Sequence, residues 1–176
     1  RYITCPNQIT SDAKNHHPGI DNSGPFLAMN PFSCRCCQHN HAQGWPYYAE
    51  HLILATPDNG AAVALYASCE ADILVGNHQE IKIIEKTNYP FEESIHLSIQ
   101  TEKATEFPLY LRIPSWTRHA SLKINGKSAE TPLTAGQYVR IQRTWNNDDS
   151  IELTVPMHLS LRTWQVNKNS VSIDYG

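Results

Sequence analysis

The sequence predicts a mainly β fold, in which a long loop and one helix precede an antiparallel β-sandwich. After Gly60 the apolar residues alternate with a period of two, and short alternating segments recur at nearly regular intervals. Between two of these segments stands Asn125-Gly126, a pair typical of a tight β-hairpin turn. With 40% hydrophobic and 18% charged residues among 176, the composition is that of a globular chain, which excludes disorder.

The N-terminal third predicts a loop followed by one helix. Residues 1–39 contain many turn formers, and an irregular loop of this length is uncommon unless it is functional. From Asn40 to Thr56, apolar residues recur at steps of three and four, which predicts an amphipathic helix that ends at the Pro-Asp-Asn-Gly sequence of residues 57–60. Aromatic residues at this spacing usually face a core, although Trp45, Tyr47 and Tyr48 could also form a stacking platform.

The alternating apolar pattern after Gly60 predicts ten short strands. These are residues 62–68, 71–75, 80–86, 94–101, 108–113, 120–124, 137–144, 150–155, 158–162 and 170–175. We expect the core to include Leu65, Ile83, Leu97, Ile99, Leu109, Leu111, Leu122, Ile141, Leu153 and Val155. Trp116, Trp145 and Trp164 are assigned to packing.

Charge and hydropathy exclude two classes of partner. The net charge is −3, from 14 basic and 17 acidic residues, and no basic stripe occurs, so we expect no nucleic-acid partner. No apolar run reaches about 18 residues, so we expect no membrane partner. The chain begins without Met, and its last residues still alternate like a strand, so we expect a piece of a larger protein.

A cluster of cysteine and histidine residues is the chemically distinctive segment. Cys34, Cys36, Cys37, His39 and His41 lie within eight positions. Neighbouring α-carbons are about 3.8 Å apart and an unstrained disulfide needs about 4.4 Å or more, so Cys36 and Cys37 do not readily pair with each other. A metal site or a reactive thiolate explains the cluster better than a disulfide. A structural zinc ion needs four ligands, which so short a segment rarely supplies alone.

Two readings of these cysteines stay open at this point. Arg35 and the start of the following helix would both stabilise a thiolate, which favours a nucleophile or a metal ligand. Free cysteines are also often small buried apolar residues, and that reading is preferred for the isolated Cys5 and Cys69.

Several motifs in order along the chain point to a known family. They are Cys36-Cys37 followed by Asn40, Thr87-Asn88-Tyr89-Pro90-Phe91, residues 109–116 (LYLRIPSW), Ile124-Asn125-Gly126, residues 138–143 with Trp145, and residues 151–157. In this pattern the chain resembles glycoside hydrolase family 127, which contains β-L-arabinofuranosidases. The resemblance implies the end of an (α/α)6 barrel, as in six-hairpin glycosidases, over residues 1–58 and a β-sandwich domain over residues 59–176.

The resemblance also implies roles for individual residues. Cys36 corresponds to the nucleophile that attacks the anomeric carbon and also contacts zinc in the resting enzyme, and Cys37 corresponds to a zinc ligand. The other ligands, which include a Glu-x-Cys motif, and the glutamate acid/base precede this chain, so the missing N-terminal catalytic region is an expected partner. Gln38-His39 replaces the Pro-Pro common in the family, which makes His39 and His41 candidates for contacting the sugar or the metal.

Two functions follow from this sequence. The first is a fragment of a retaining, zinc-assisted cysteine glycosidase acting on β-L-arabinofuranosyl or related glycans, inactive as an isolated chain because the acid/base is missing. The alternative is a non-catalytic β-sandwich module, carbohydrate-binding or structural, with a metal-trapping Cys/His loop.

Overall fold

The computed structural model describes residue 40 and residues 43–176, which contain one α-helix and twelve strands. The chain divides into two compact units, Arg1–Ala49 and Glu50–Gly176. The helix, α1, spans Gly44–Glu50. The strands are β1 (Ile53–Ala55), β2 (Ala61–Val63), β3 (Cys69–Val75), β4 (Gln79–Thr87), β5 (Ser94–Thr101), β6 (Thr105–Arg112), β7 (Ser121–Ile124), β8 (Lys127–Ser128), β9 (Tyr138–Trp145), β10 (Asp149–Thr154), β11 (Leu159–Trp164) and β12 (Ser170–Tyr175).

The strands form two larger sheets and one hairpin. One sheet has the order β1-β2-β6-β9, a second has the order β3-β4-β5-β10-β7-β8, and β11 pairs only with β12 in the described chain. β2 and β6 are parallel, with Ala61 opposite Leu109, whereas the other pairs are antiparallel. The prediction of a mainly β, antiparallel fold is therefore confirmed.

The core brings together apolar side chains from both large sheets. Leu109 and Ile141 of the four-stranded sheet share one buried cluster with Ile83 and Leu153 of the six-stranded sheet. Nine of the ten predicted core residues are buried; Leu65 is the exception. β2 ends at Val63, and the Leu65 amide hydrogen-bonds to the Leu52 carbonyl outside the ladder, so the alternation is broken.

The predicted helix from Asn40 to Thr56 is wrong in its second half. α1 ends at Glu50, and Ile53–Ala55 forms β1, which pairs with Ala61–Val63. The Pro-Asp-Asn-Gly sequence makes the connecting turn: the Thr56 amide donates to the Gly60 carbonyl, and a Cβ at Gly60 would lie 2.2 Å from the Pro108 carbonyl oxygen. A hairpin turn and a helix stop use the same residue types, which explains the error.

The turn at Asn125-Gly126 is confirmed. Both residues have positive φ, 50° and 74°, as this class of turn requires, and Ile124 pairs with Lys127 across it.

Two of the three tryptophans assigned to packing are packed as predicted. Trp145 is fully buried and donates from Nε1 to the Phe107 carbonyl at 3.1 Å, and Trp116 packs against the core.

Trp164 does not pack in the core, contrary to prediction. It ends β11 and is largely exposed, with its Nε1 donating to the Ser172 hydroxyl of β12. β11 and β12 present further exposed apolar side chains, because in the described chain they pair only with each other. Alternation alone does not distinguish such a hairpin from a core strand.

Candidate functional site

The residues predicted to carry the chemistry lie outside the described part of the chain. This applies to the nucleophile and metal ligand Cys36, to the metal ligand Cys37, and to His39 and His41. Their roles stay predictions. Within residue 40 and residues 43–176, no group of three or more His, Cys, Asp or Glu side chains could hold a metal ion.

α1 presents exposed aromatic side chains immediately after the predicted site. Trp45 and Tyr48 are in edge-to-face contact, with ring centroids 6.5 Å apart, and no residue of this helix is buried. Pro46 lies in the first turn, where its missing N–H breaks no helical hydrogen bond. The prediction that these aromatic residues face a core is therefore wrong for the described chain.

Cys69 is the cysteine that the described residues include, and it is a poor nucleophile. It lies half-buried at the start of β3, and burial, with a smaller contribution from the charge of Glu85, raises the pKa of its thiol. A protonated thiol is neither a good nucleophile nor a good metal ligand. The raised pKa fits the prediction that Cys69 is not a reactive residue, whereas its side chain is only partly buried and not the small buried residue expected.

Glu85 is a buried carboxyl group that the sequence reasoning missed. Along β4 the inward positions are Ile81, Ile83 and Glu85, and Glu85 lies between Cys69 and Leu97 in the ladder. It is 1% exposed, and neither carboxyl oxygen makes a hydrogen bond of good geometry with the described residues. Burial raises its pKa to about 8, and the nearby Ala67 backbone opposes this with a smaller lowering effect, although its contact falls short of good hydrogen-bond geometry. Glu85 follows Ile81 and Ile83 at the same spacing of two residues, and this alternation could have indicated from the sequence that Glu85 faces inward.

A tyrosine and an arginine pack at the same end of the sandwich as Glu85. The Tyr66 hydroxyl donates to the Arg112 carbonyl oxygen, and the Arg112 Nε donates to the Ala64 carbonyl at 2.7 Å. The Arg112 guanidinium lies 5.6 Å from the centroid of the Tyr66 ring, and Tyr89 meets that ring edge-on. Burial raises the pKa of Tyr66, so it stays a phenol. The cluster connects the ends of β2 and β6 and has a structural role.

The outer face of the four-stranded sheet carries a network of polar side chains around Asp58. The Tyr110 hydroxyl donates to Asp58 at 2.6 Å, and the Arg140 Nε donates to the Tyr110 oxygen at 2.8 Å. The Arg140 guanidinium also lies 3.5 Å from Asp58. Hydrogen bonds from Thr56 and Tyr110 hold the pKa of Asp58 below its ordinary value. The network therefore carries one negative and one positive charge that compensate each other.

No helix among the described residues is a candidate for spanning a membrane. Their α-helix has seven residues, and none of the helices in residues 43–176 is long and apolar enough to cross a bilayer.

A family comparison identifies the sandwich. Residues 60–157 match the family model described as the GH127 middle domain of β-L-arabinofuranosidase. The chain belongs to glycoside hydrolase family 127. The resemblance inferred from the sequence motifs is therefore confirmed, and the matched residues run from the turn before β2 to the connection between β10 and β11. No curated protein matches this family 127 chain in sequence.

Solved structures share its fold. A GH127 β-L-arabinofuranosidase from Geobacillus stearothermophilus T6 is 31% identical over 82% of this chain, with a TM-score of 0.75. A protein described as a glycoside hydrolase, 24% identical over 93%, has a TM-score of 0.78, and a GH127 β-arabinofuranosidase, 23% identical over 82%, has one of 0.73. The matched region covers 23%, 28% and 26% of those three proteins, so this family 127 chain spans about a quarter of their length.

Proposed function

We propose that this chain is part of a retaining glycoside hydrolase that removes β-L-arabinofuranosyl or related furanosyl residues from a glycan. The observation that carries the proposal is the match of residues 60–157 to the middle domain of β-L-arabinofuranosidases. The 31% identity to a solved enzyme described by that activity adds support. The activity is proposed for the longer protein, in which residues 1–58 end a helical catalytic barrel and residues 59–176 belong to the β-sandwich.

Cys36 is the proposed nucleophile. Its Sγ thiolate attacks the anomeric carbon, forming a C–S bond as the bond from that carbon to the leaving-group oxygen breaks. The leaving oxygen takes a proton from a carboxylic acid upstream of this chain. Water then displaces the sulfur and gives its proton to that carboxylate, so two displacements return the sugar with its original configuration.

The proposed cofactor is Zn²⁺. Cys36 and Cys37 supply two sulfur donors, which suit this ion. The resemblance to family 127 assigns the remaining ligands to the upstream catalytic region. When bound, the ion stabilises the thiolate form of Cys36, which is the reactive form.

His39 and His41 are proposed as sugar contacts. Each imidazole offers both a hydrogen-bond donor and an acceptor, the groups that sugar hydroxyls require. Substituting either with Ala in the full-length enzyme should raise KM more than it lowers kcat, because the residue binds the substrate and does not react with it.

The decisive experiment separates the two adjacent cysteines in the full-length enzyme. Cys36→Ser replaces a stabilised thiolate with a poorly acidic hydroxyl, so hydrolysis should be lost while much of the zinc remains. Cys37→Ser removes a ligand, so zinc content and activity should fall together. The measurements are bound zinc, hydrolysis of an aryl β-L-arabinofuranoside, and covalent labelling by a cysteine-reactive arabinofuranose mimic. Cys69→Ser is the matched control because Cys69 lies in the sandwich with a raised pKa.

Two outcomes would contradict these roles. A labelled adduct on Cys37 in the Cys36→Ser variant would show that the roles are reversed, with Cys37 as the nucleophile and Cys36 as the zinc ligand. Full activity in both variants would exclude cysteine catalysis.

The 176-residue chain alone should not hydrolyse the aryl arabinofuranoside and should bind zinc weakly or not at all. General acid catalysis contributes about 10² to 10⁴-fold, and the proposed acid lies outside this chain. Measurable hydrolysis by the purified chain would show that the acid/base lies within these 176 residues.

A further inference from the structure

The outer face of the four-stranded sheet contains a shallow depression with a volume of about 440 Å³. We call it the tyrosine depression. Its lining residues are Thr56, Pro57, Asp58, Ala62, Tyr110 and Tyr138. They come from the β1–β2 turn and from β2, β6 and β9, so three strands and one turn contribute.

The strand register explains why a depression forms there. Ala62 lies in the ladder between Leu54 of β1 and Tyr110 of β6, and its small side chain leaves space between two larger neighbours. Tyr110 pairs with Arg140, and Tyr138 lies two residues before Arg140 on the same face of β9. The side chains of Tyr110 and Tyr138 thus form the sides of the depression, and the methyl group of Ala62 forms its base.

Hydrogen-bonding groups border the tyrosine depression on one side. Asp58, the Tyr110 hydroxyl and Arg140 are joined by contacts of 2.6 and 2.8 Å. Asp58 and Arg140 also line a neighbouring polar hollow of about 750 Å³, together with Gln142. The Gln142 side-chain oxygen accepts from Arg140 at 2.8 Å. The Asp58 carboxylate thus lines both depressions, and the Arg140 guanidinium and the Gln142 amide continue the polar surface into the neighbouring hollow.

We propose that the tyrosine depression is a non-catalytic binding site for a neutral oligosaccharide. Tyr138, which is 48% exposed, offers an aromatic ring to the apolar face of one sugar, and Ala62 provides the space beneath it. Asp58 lines the depression and Arg140 borders it through its contact with Tyr110, so sugar hydroxyls on this side would meet polar groups. Because Asp58 and Arg140 compensate each other's charge, an uncharged ligand fits better than an acidic one. Only the choice of arabinose as the probe rests on the proposed function.

The test is a titration of the ¹⁵N-labelled 176-residue chain with arabinotriose, followed by amide chemical shifts. Wild type should bind with a millimolar-range Kd, and the largest shifts should fall at residues 62, 110 and 138. Tyr138→Ala removes the ring and Ala62→Leu fills the floor, so each should weaken binding about tenfold or more. Phe91→Ala is the matched control, because Phe91 is an aromatic residue 89% exposed outside this face. Trigalacturonic acid, which is anionic, should bind more weakly than arabinotriose.

Each contrary outcome overturns the proposal. These are absent binding of arabinotriose, shifts located elsewhere, an unchanged Kd in a folded Ala62→Leu variant, or tighter binding of trigalacturonic acid. The spectrum of each variant shows whether it is folded. Hydrolysis by the full-length enzyme without binding here would refute this site alone. Binding here by a chain whose full-length form does not hydrolyse arabinofuranosides would refute the proposed activity alone.

Discussion

Glu85 should make the stability of the sandwich fall as pH rises through neutrality. Its pKa is about 8 in the folded chain, against an ordinary value of 4.5 when exposed to water. Between these two pH values the unfolded chain releases the Glu85 proton and the folded chain keeps it. The unfolded state then binds fewer protons, so the free energy of unfolding falls with increasing pH.

The size of the effect follows from the width of that interval. Below pH 4.5 the contribution of Glu85 to the free energy of unfolding does not change with pH. One pKa unit corresponds to about 1.4 kcal/mol, so between pH 4.5 and pH 8 the free energy of unfolding falls by about 5 kcal/mol. At pH 7 the loss is about 3 kcal/mol, a large share of the 5 to 15 kcal/mol typical of a domain. Water entering around an ionised Glu85 would reduce this figure, which is therefore an upper limit.

The assay is urea unfolding of the 176-residue chain from pH 4.5 to pH 9, followed by tryptophan fluorescence. Glu85→Gln keeps the shape and removes the titration, so it should match wild type at the acidic end and exceed it by several kcal/mol at the alkaline end. Glu85→Leu also removes the carboxyl oxygens without hydrogen-bond partners among the described residues, so it should be at least as stable as Glu85→Gln.

Glu80→Gln is the matched control because Glu80 lies on the same strand but is exposed. It should leave the pH dependence as in wild type. If Glu85→Gln and wild type lost stability in parallel from pH 5 to pH 8, Glu85 would not be the buried neutral acid described here.

Three further substitutions, one of them with a matched control, test the packing and turns by urea unfolding. Leu109→Ala should cost about 2 to 5 kcal/mol because Leu109 is fully buried, whereas Leu74→Ala, at a 57% exposed position, should cost far less; equal losses would contradict the assigned core. Gly126→Ala should cost about 1 kcal/mol through its φ of 74° alone, since the surrounding space is open, and an unchanged midpoint would argue against this turn. Asp149→Ala should cost about 1 to 3 kcal/mol because Asp149, 7% exposed, accepts a 2.7 Å hydrogen bond from the Asn125 side chain and a 3.0 Å hydrogen bond from the Asn146 amide. An unchanged free energy of unfolding would show that these bonds do not stabilise the turns that contain Asn125 and Asn146.

Local sequence pattern determined most strands and the core-facing side. In β5 and β6 the alternation of Leu97 and Ile99, and of Leu109 and Leu111, identified the buried faces, because a strand places every second side chain on the same side. Asn125-Gly126 identified its hairpin because few residues adopt positive φ at two successive positions without cost. The family motifs likewise depend only on residues in order along the chain, and they led to family 127.

Tertiary structure decided the features that depend on strand order. The segment 53–55 became a strand because β2 offers a partner, and its three residues were too few to separate a helical from a strand pattern. The alternation of Ile81 and Ile83 places Glu85 on the inward face of β4, but only the fold shows that the carboxyl group is 1% exposed.

The tyrosine depression depends on contacts between residues far apart in the chain. Asp58 meets Tyr110 across 52 positions, and Tyr110 meets Arg140 across 30. These pairs exist because β2 lies parallel to β6, and β6 antiparallel to β9, in one sheet. Periodicity assigns a side chain to a face but carries no information about which strand lies beside it, so only the fold brings these groups together.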